Sequence, residues 1–304
     1  MDKKDFYKED FSLSEKIFWR LKKISALFGR IDFDVLLFSL QSAKRRGGWP
    51  LMKFLRRKKI TNIDGGENIL NYGAYKFKVP ADSLIVADLV AIFSYRDKYF
   101  KKNFLPSCSF DGPYEMNGFE MKKGDFVIDA GANVGIFSLL AGDIVGSSGL
   151  VFAFEPVPLA ADFLEKNILL NKRKNIKVLK FGLGSKAGKA DFNLFSSLEE
   201  SLVFFTGGRE KIELDIISLD DFVKNNKIEK IDFIKADIEG MERDLLLGAK
   251  EVIKKFNPKL SICTYHRPDD PEVLSAIIKE FCSDYEIIFS EKKLFAQVQF
   301  KNNR

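Results

Sequence analysis

From about residue 120 onward, the apolar positions fall into short continuous runs separated by longer segments of helical spacing. The runs predict strands over residues 125–129, 149–155, 176–182, 231–237 and 260–265. The segments between them predict helices over 136–144, 159–171, 241–256 and about 271–283. The chain closes with two further runs, 285–290 and 295–301, separated by Glu291-Lys-Lys, a connection short enough to predict an antiparallel pair. Strands that alternate with helices predict an α/β fold with a mostly parallel sheet covered on both faces. Residues 186–230 interrupt the alternation between the third and fourth strands. Within them, Ile212-Glu-Leu-Asp-Ile-Ile alternates as a strand does, and Ser218 is placed to cap a short helix beginning Leu-Asp-Asp.

The first 110 residues read differently. Ile17, Phe18, Leu21, Ile24 and Leu27 recur at helical spacing over residues 14–28, and residues 81–95 predict a second helix. The glycine-containing stretch 62–66 reads as a loop. The pattern divides the chain into a largely helical extension, 1–110, and an α/β domain, 111–304.

Charge sharpens this division. The net charge is +6, yet residues 1–60 carry 16 Lys and Arg against 7 Asp and Glu, so the remainder is net acidic. Basic residues peak over 44–59, interleaved with Trp49, Leu51, Met52, Phe54 and Leu55. This interleaving suits a peripheral contact with an anionic membrane or a lipid-linked glycan; it equally suits a solvated helix that packs its apolar residues on its own domain. Nothing points to nucleic acid. The three cysteines, Cys108, Cys263 and Cys282, are scattered and form no paired motif, which argues against a disulfide framework or thiolate metal site and predicts a cytoplasmic protein. The opening residues have no signal-peptide core, and 84–93 is too short to span a bilayer.

The chemistry concentrates at the end of the first α/β strand. In Val127-Ile-Asp-Ala-Gly-Ala-Asn-Val-Gly135, an apolar strand runs into Asp129, then into Gly131 and Gly135, then into an apolar helix. Glycines there permit a tight turn and close approach to a ligand, and the first strand of such a sheet lies where strand order reverses. A dinucleotide site wants G-x-G-x-x-G, and Ala132-Asn133 does not supply its second glycine. Asp129 would repel a pyrophosphate and suits a cationic cofactor. The second strand ends in Glu155, an acidic residue at the position that accepts hydrogen bonds from ribose hydroxyls.

These residues resemble the FkbM family of methyltransferases. The resemblance rests on 124–138, on Phe154-Glu-Pro-Val-Pro158 with Asn167, and on Ser218-Leu-Asp-Asp221. It continues through Ile231-Asp-Phe-Ile-Lys-Ala-Asp-Ile-Glu-Gly-Met-Glu242, Gly248-Ala249 and 258–266, covering roughly 112–300. It implies a Rossmann-like class I methyltransferase fold with a seven-stranded, mostly parallel sheet ending in an antiparallel pair. It implies S-adenosyl-L-methionine as cofactor, and methyl transfer to a hydroxyl of a sugar, glycan or other small-molecule acceptor. Carried over by position, Asp129, Gly131, Asn133 and Gly135 surround the methionine end, Glu155 holds the ribose, residues 182–185 lie near the adenine, and Tyr114 touches the cofactor.

An alcohol acceptor also needs a base or a metal. Asp237 ends the fourth strand, Glu239 and Glu242 open the following helix, and the fifth strand delivers His266, the single histidine. Asp237, Glu239 and His266 are the expected catalytic groups, with His266 titrating near neutrality as a base. Lys235 is expected merely to pair with Asp237. Two carboxylates and a histidine can hold a divalent metal, but no ligand spacing demands one, and none is assigned. The competing readings are a nucleotide-dependent oxidoreductase, against which the missing glycine counts, and a non-catalytic cofactor-binding scaffold that docks through its basic segment.

Overall fold

A computed structural model describes residues 60–63, 67–72, 75–80, 114–116, 118–194, 210–290 and 292–298. The helices expected over 14–28 and 81–95 and the basic segment 44–59 lie outside the described residues. Three strands, β1 (Ile60–Ile63), β2 (Glu67–Tyr72) and β3 (Tyr75–Pro80), form an antiparallel meander. The expected loop over 62–66 is therefore shorter than predicted, because Asn62 and Ile63 pair with Asn68 and Glu67. The helical character expected of 1–110 does not extend to these strands.

The main sheet is built from β4 (Phe126–Ala130), β5 (Leu150–Phe154), β6 (Ile176–Leu179), β10 (Phe233–Ala236), β11 (Lys259–Cys263), β12 (Tyr285–Ser290) and β13 (Lys293–Val298). Its order is β12-β13-β11-β10-β4-β5-β6. The central strands pair in parallel, and β13 runs antiparallel to both β11 and β12. The sheet is thus seven-stranded with a final antiparallel pair, as the sequence pattern predicts. Helices α1 (Ile136–Val145), α2 (Pro158–Leu170) and α6 (Asp270–Phe281) follow β4, β5 and β11. The central strands are apolar almost throughout because helices cover both faces, so every side chain along β10 is buried.

The insertion adds β8 (Gly188–Leu194) and β9 (Glu210–Ile217), which join the short β7 (Gly182–Leu183) in a separate three-stranded sheet. Ser218 caps α3 (Leu219–Asn225) by accepting from the Asp221 N–H at 3.1 Å. Phe222 on α3 meets Phe152 and Phe154 of β5 edge-to-face, at 5.3 and 5.0 Å between centroids.

One expected helix is two. Residues 241–256 divide into α4 (Glu242–Leu247) and α5 (Lys250–Phe256) at Gly248. The Asp220 carboxylate on α3 accepts the backbone N–H groups of Glu251 and Val252, at 3.0 and 2.9 Å, and so starts α5 from outside the segment. A cap delivered from another helix leaves no local sequence signal.

The meander is tied to the main domain by two asparagines one turn apart, Asn167 on α2 and Asn171 at its C-terminal end. Asn167 Oδ1 accepts from the Lys78 N–H and its Nδ2 donates to the Lys78 carbonyl. Asn171 does the same for Lys76. Residues 76 and 78 point their backbone groups to the same side of β3, and residues 167 and 171 share one helix face, so the pair acts as a surrogate neighbouring strand. Asn167 Nδ2 also donates to the Val134 carbonyl at 2.8 Å, joining the meander to the glycine turn.

Candidate active site

The turn after β4 is shaped from beneath. Gly131 has φ 75°, and a side chain there would collide with the Asp237 carbonyl at the end of β10. The Gly131 and Ala132 N–H groups donate to the Phe154 carbonyl at 3.0 and 2.9 Å, fastening the turn to the end of β5. Gly135 also has positive φ, and a methyl there would meet Leu164 of α2. The turn sits beside the carboxyl end of β4, between β5 and β10, where strand order reverses.

Asp129 is fully buried and faces inward. Lys235 Nζ stands 3.0 Å from its Oδ1, and Ser138 Oγ donates to Oδ2. Lys235 also donates to the carbonyls of Ala130 and Gly131, at 3.1 and 2.7 Å. The expected pairing of Lys235 with Asp237 is therefore replaced by one with Asp129. The register explains the difference. Lys235 and Asp129 are direct partners across parallel strands, about 4.8 Å apart, whereas residues two apart on one strand stand about 6.6 Å apart. Burial by itself would lower the pKa of Lys235, but Asp129 and Asp237 outweigh it and raise it. The lysine stays charged and shares its proton donors with the turn.

Asn133 and Glu155 form the first half of the site. Asn133 has φ 50°, and its N–H donates to Glu155 Oε2 at 2.8 Å. Glu155 Oε1 accepts from Val157 N–H at 2.9 Å. Burial pushes the Glu155 carboxyl up to about 7, against the opposing pull of the Val157 and Asn133 amides and the Lys235 charge. Asn133 Oδ1 is enclosed without a hydrogen-bond partner.

The second cluster gathers where β10 and β11 end. Asp237 Oδ2 accepts from Tyr114 OH at 2.5 Å and Oδ1 from Tyr265 OH at 3.0 Å. Burial would raise the pKa of Asp237; the charges of Lys235 and Lys293 and the Tyr114 hydroxyl reverse this and lower it. Two ammonium groups stand close to the Tyr114 ring, Lys293 Nζ 4.3 Å and Lys235 Nζ 5.0 Å from its centroid. Its hydroxyl is committed to Asp237, which places this residue at the second cluster.

His266 is ringed by carboxylates. Its Nδ1 stands 3.0 Å from Glu242 Oε1, and its Nε2 stands 3.4 Å from Glu239 Oε2 and 3.8 Å from Asp237 Oδ1. Burial would lower the imidazole pKa, but Glu239, Glu242 and Asp237 together raise it to about 10. This ring of carboxylates favours the protonated imidazole, which works against the expected role of His266 as a base. Glu239 takes φ 55° beside Gly240 at φ 96°, a backbone conformation that costs a non-glycine residue about 1–3 kcal/mol and turns its carboxylate back toward His266.

The structure thus brings Asp237, Glu239 and His266 together as the sequence predicts, and adds Glu242, Tyr265 and Lys293. Tyr265 adjoins His266 in the chain and Glu242 lies three residues from Glu239, so both had a local signal; Glu239 itself falls outside the helix it was expected to open, since α4 begins at Glu242. Lys293 had none, since only the antiparallel placement of β13 beside β11 brings it in.

Strand order, the glycine turn and the acidic end of β5 together define a class I methyltransferase fold. The model of the methyltransferase FkbM domain matches residues 129–285, half of the chain, and the chain belongs to this family. Methyltransferase sdnD of Sordaria araneosa is 30% identical over 41% of this chain and 61% of its own length. Hexuronic acid methyltransferase AglP of Haloferax volcanii is 26% identical over 53% of this chain and 64% of its own. The 31-O-demethyl-FK506 methyltransferase FkbM of Streptomyces tacrolimicus is 26% identical over 46% and 65%. The chain spans less than two thirds of the length of these relatives.

Proposed function

We propose that this chain is an S-adenosyl-L-methionine-dependent methyltransferase acting on a hydroxyl of a sugar, glycan or related small molecule. The observation that carries the cofactor is the pairing of Glu155 with Asn133. Each Glu155 oxygen accepts one backbone N–H and keeps a lone pair for a ribose hydroxyl. The enclosed Asn133 Oδ1 lacks a donor, which an ammonium of the methionine portion would supply. These residues fit the cofactor. Bound there, its sulfonium supplies an electrophilic methyl group.

Asp237, Glu239 and His266 act on the acceptor. Asp237 is held ionised between two tyrosine hydroxyls and orients the incoming hydroxyl. Glu239 is the most open of the three carboxylates around His266, with 39% of its side chain exposed, and would take the proton that the acceptor hydroxyl loses on methylation. Positioning contributes the larger share of the rate. A sugar acceptor is supported by a relative named for hexuronic acid, and transfer to oxygen by a relative named for a 31-O-demethyl substrate. A cytoplasmic setting, and contact with membrane or lipid-linked glycan through 44–59, rest on the sequence; liposome co-sedimentation with neutral and anionic vesicles tests the contact.

The deciding experiment is calorimetric titration with S-adenosylhomocysteine, followed by transfer of radiolabelled methyl to hexuronic acid and glycan acceptors. Micromolar binding lost in Glu155→Ala, with label on an acceptor oxygen, supports the reading. Absence of binding by folded wild-type protein overturns it.

A further inference from the structure

The carboxylates around His266 exceed what the proposed proton transfer needs. Glu242 is fully buried, with its Oε1 3.0 Å from His266 Nδ1. Its Oε1 accepts from the Ile238 N–H at 2.9 Å, but its Oε2 is enclosed without any hydrogen-bond partner. The His266 side chain is 10% exposed, and both ring nitrogens are enclosed without an aligned hydrogen bond, although carboxylate oxygens stand 3.0 and 3.4 Å away. Buried polar atoms in this state are costly, and a buried carboxylate more so, unless a partner is supplied.

One donor atom each from Asp237, Glu242 and His266 lie within 4.8 Å of one another. Donors that share a cation at about 2.0–2.3 Å stand up to about 4.4 Å apart, so a small rotation of these side chains brings all three into range. Three of the neighbouring cations are engaged elsewhere. Lys235 spends its donors on Asp129 and the turn carbonyls. Arg243 pairs with Asp269 and Asp270, and Arg267 donates to the Gly240 carbonyl.

We infer that Asp237, Glu242 and His266 form a binding site for one divalent transition-metal cation, with Glu239 at its open side. Two carboxylates and an imidazole are a mixed oxygen–nitrogen set, which favours ions such as Mn²⁺, Fe²⁺ or Zn²⁺ over Mg²⁺ and Ca²⁺, whose preferred donors are all oxygen. The site explains why a fully buried glutamate faces a buried imidazole with one oxygen unsatisfied. Its use in catalysis rests on the methyltransferase reading: a cation here would lower the pKa of an acceptor hydroxyl and ease proton loss toward Glu239. Its existence does not depend on that reading.

The test uses the full chain stripped with a chelator and titrated with MnCl₂, without cofactor or acceptor. Free Mn²⁺ is followed by electron paramagnetic resonance, and nitrogen coupling to bound Mn²⁺ by spin-echo modulation. One Mn²⁺ per chain is expected, with a nitrogen modulation that disappears in His266→Ala and an affinity that falls about tenfold or more in Glu242→Gln. Gln at 242 keeps an acceptor for the Ile238 N–H, and thermal unfolding confirms that both variants fold. The inference is overturned by no stoichiometric Mn²⁺, by binding that both variants retain, by bound Mn²⁺ without nitrogen coupling, or by equal competition from Mg²⁺. Because S-adenosylhomocysteine is absent, failure here leaves the cofactor reading intact, and failure of cofactor binding leaves this one intact.

Discussion

Lys235 Nζ lies 3.0 Å from Asp129 Oδ1, and both side chains are almost completely buried beneath the glycine turn. The pair sits below the open site and sets the height of the turn, because the same ammonium also holds the Ala130 and Gly131 carbonyls. Replacing Lys235 with Met strands the Asp129 carboxylate with only Ser138. A loss of about 3–5 kcal/mol in denaturant unfolding is expected, with most of it recovered in Asp129→Asn/Lys235→Met. A double variant no more stable than Lys235→Met would show that the two side chains are not coupled.

Cofactor affinity should depend on pH through Glu155. Its folded-state carboxyl titrates at about 7, raised by burial, and the ionised form is the one that accepts two ribose hydroxyls. Affinity for S-adenosylhomocysteine is therefore expected to be flat above pH 7. Below it, affinity should weaken by about tenfold per pH unit, as the carboxyl takes up a proton that binding must expel. Calorimetry in buffers of different ionisation enthalpy measures that proton directly.

Asn167 holds three backbone groups at once, two on Lys78 and one on Val134. Asn167→Ala is expected to cost about 1–3 kcal/mol for each buried group left unpaired, and to release the Lys78 amide to hydrogen exchange. Asn171→Ala should cost less, since water reaches the Lys76 groups it holds. Equal losses from the two variants would contradict this division.

Gly131→Ala adds a methyl that meets the Asp237 carbonyl, at a φ of 75° that itself costs an L-residue about 1–2 kcal/mol. The turn must then separate from the end of β10. Cofactor binding should be lost even where the protein remains folded, which circular dichroism and calorimetry on the same sample would establish.

The parallel core was legible because its physics is local. In residues 126–130 and 233–236 every position except Asp129 and Lys235 is apolar, a pattern that suits a strand covered by helices on both faces. The hairpin of β12 and β13 was equally plain, although β13 begins at Lys293, two residues before the expected start. Asp237, Glu239 and His266 could be placed together because strand alternation and the shared carboxyl ends of a parallel sheet fix where they fall. The break at Gly248 was not legible, since Asp220 supplies the cap of α5 from another helix.

The sequence by itself determined the order of the main-sheet strands, the glycine turn with Glu155 beside it, and the set of acidic and imidazole groups near it. Periodicity, backbone freedom and chain order are properties of a segment, and a segment carries them wherever it lies. Only the tertiary structure decided that Lys235 belongs to Asp129, that Tyr114 belongs to Asp237 and that three carboxylates surround His266. Each of these depends on which charges are brought within about 4 Å in a space that excludes water. That distance is set by strand register and by burial, which no single segment contains.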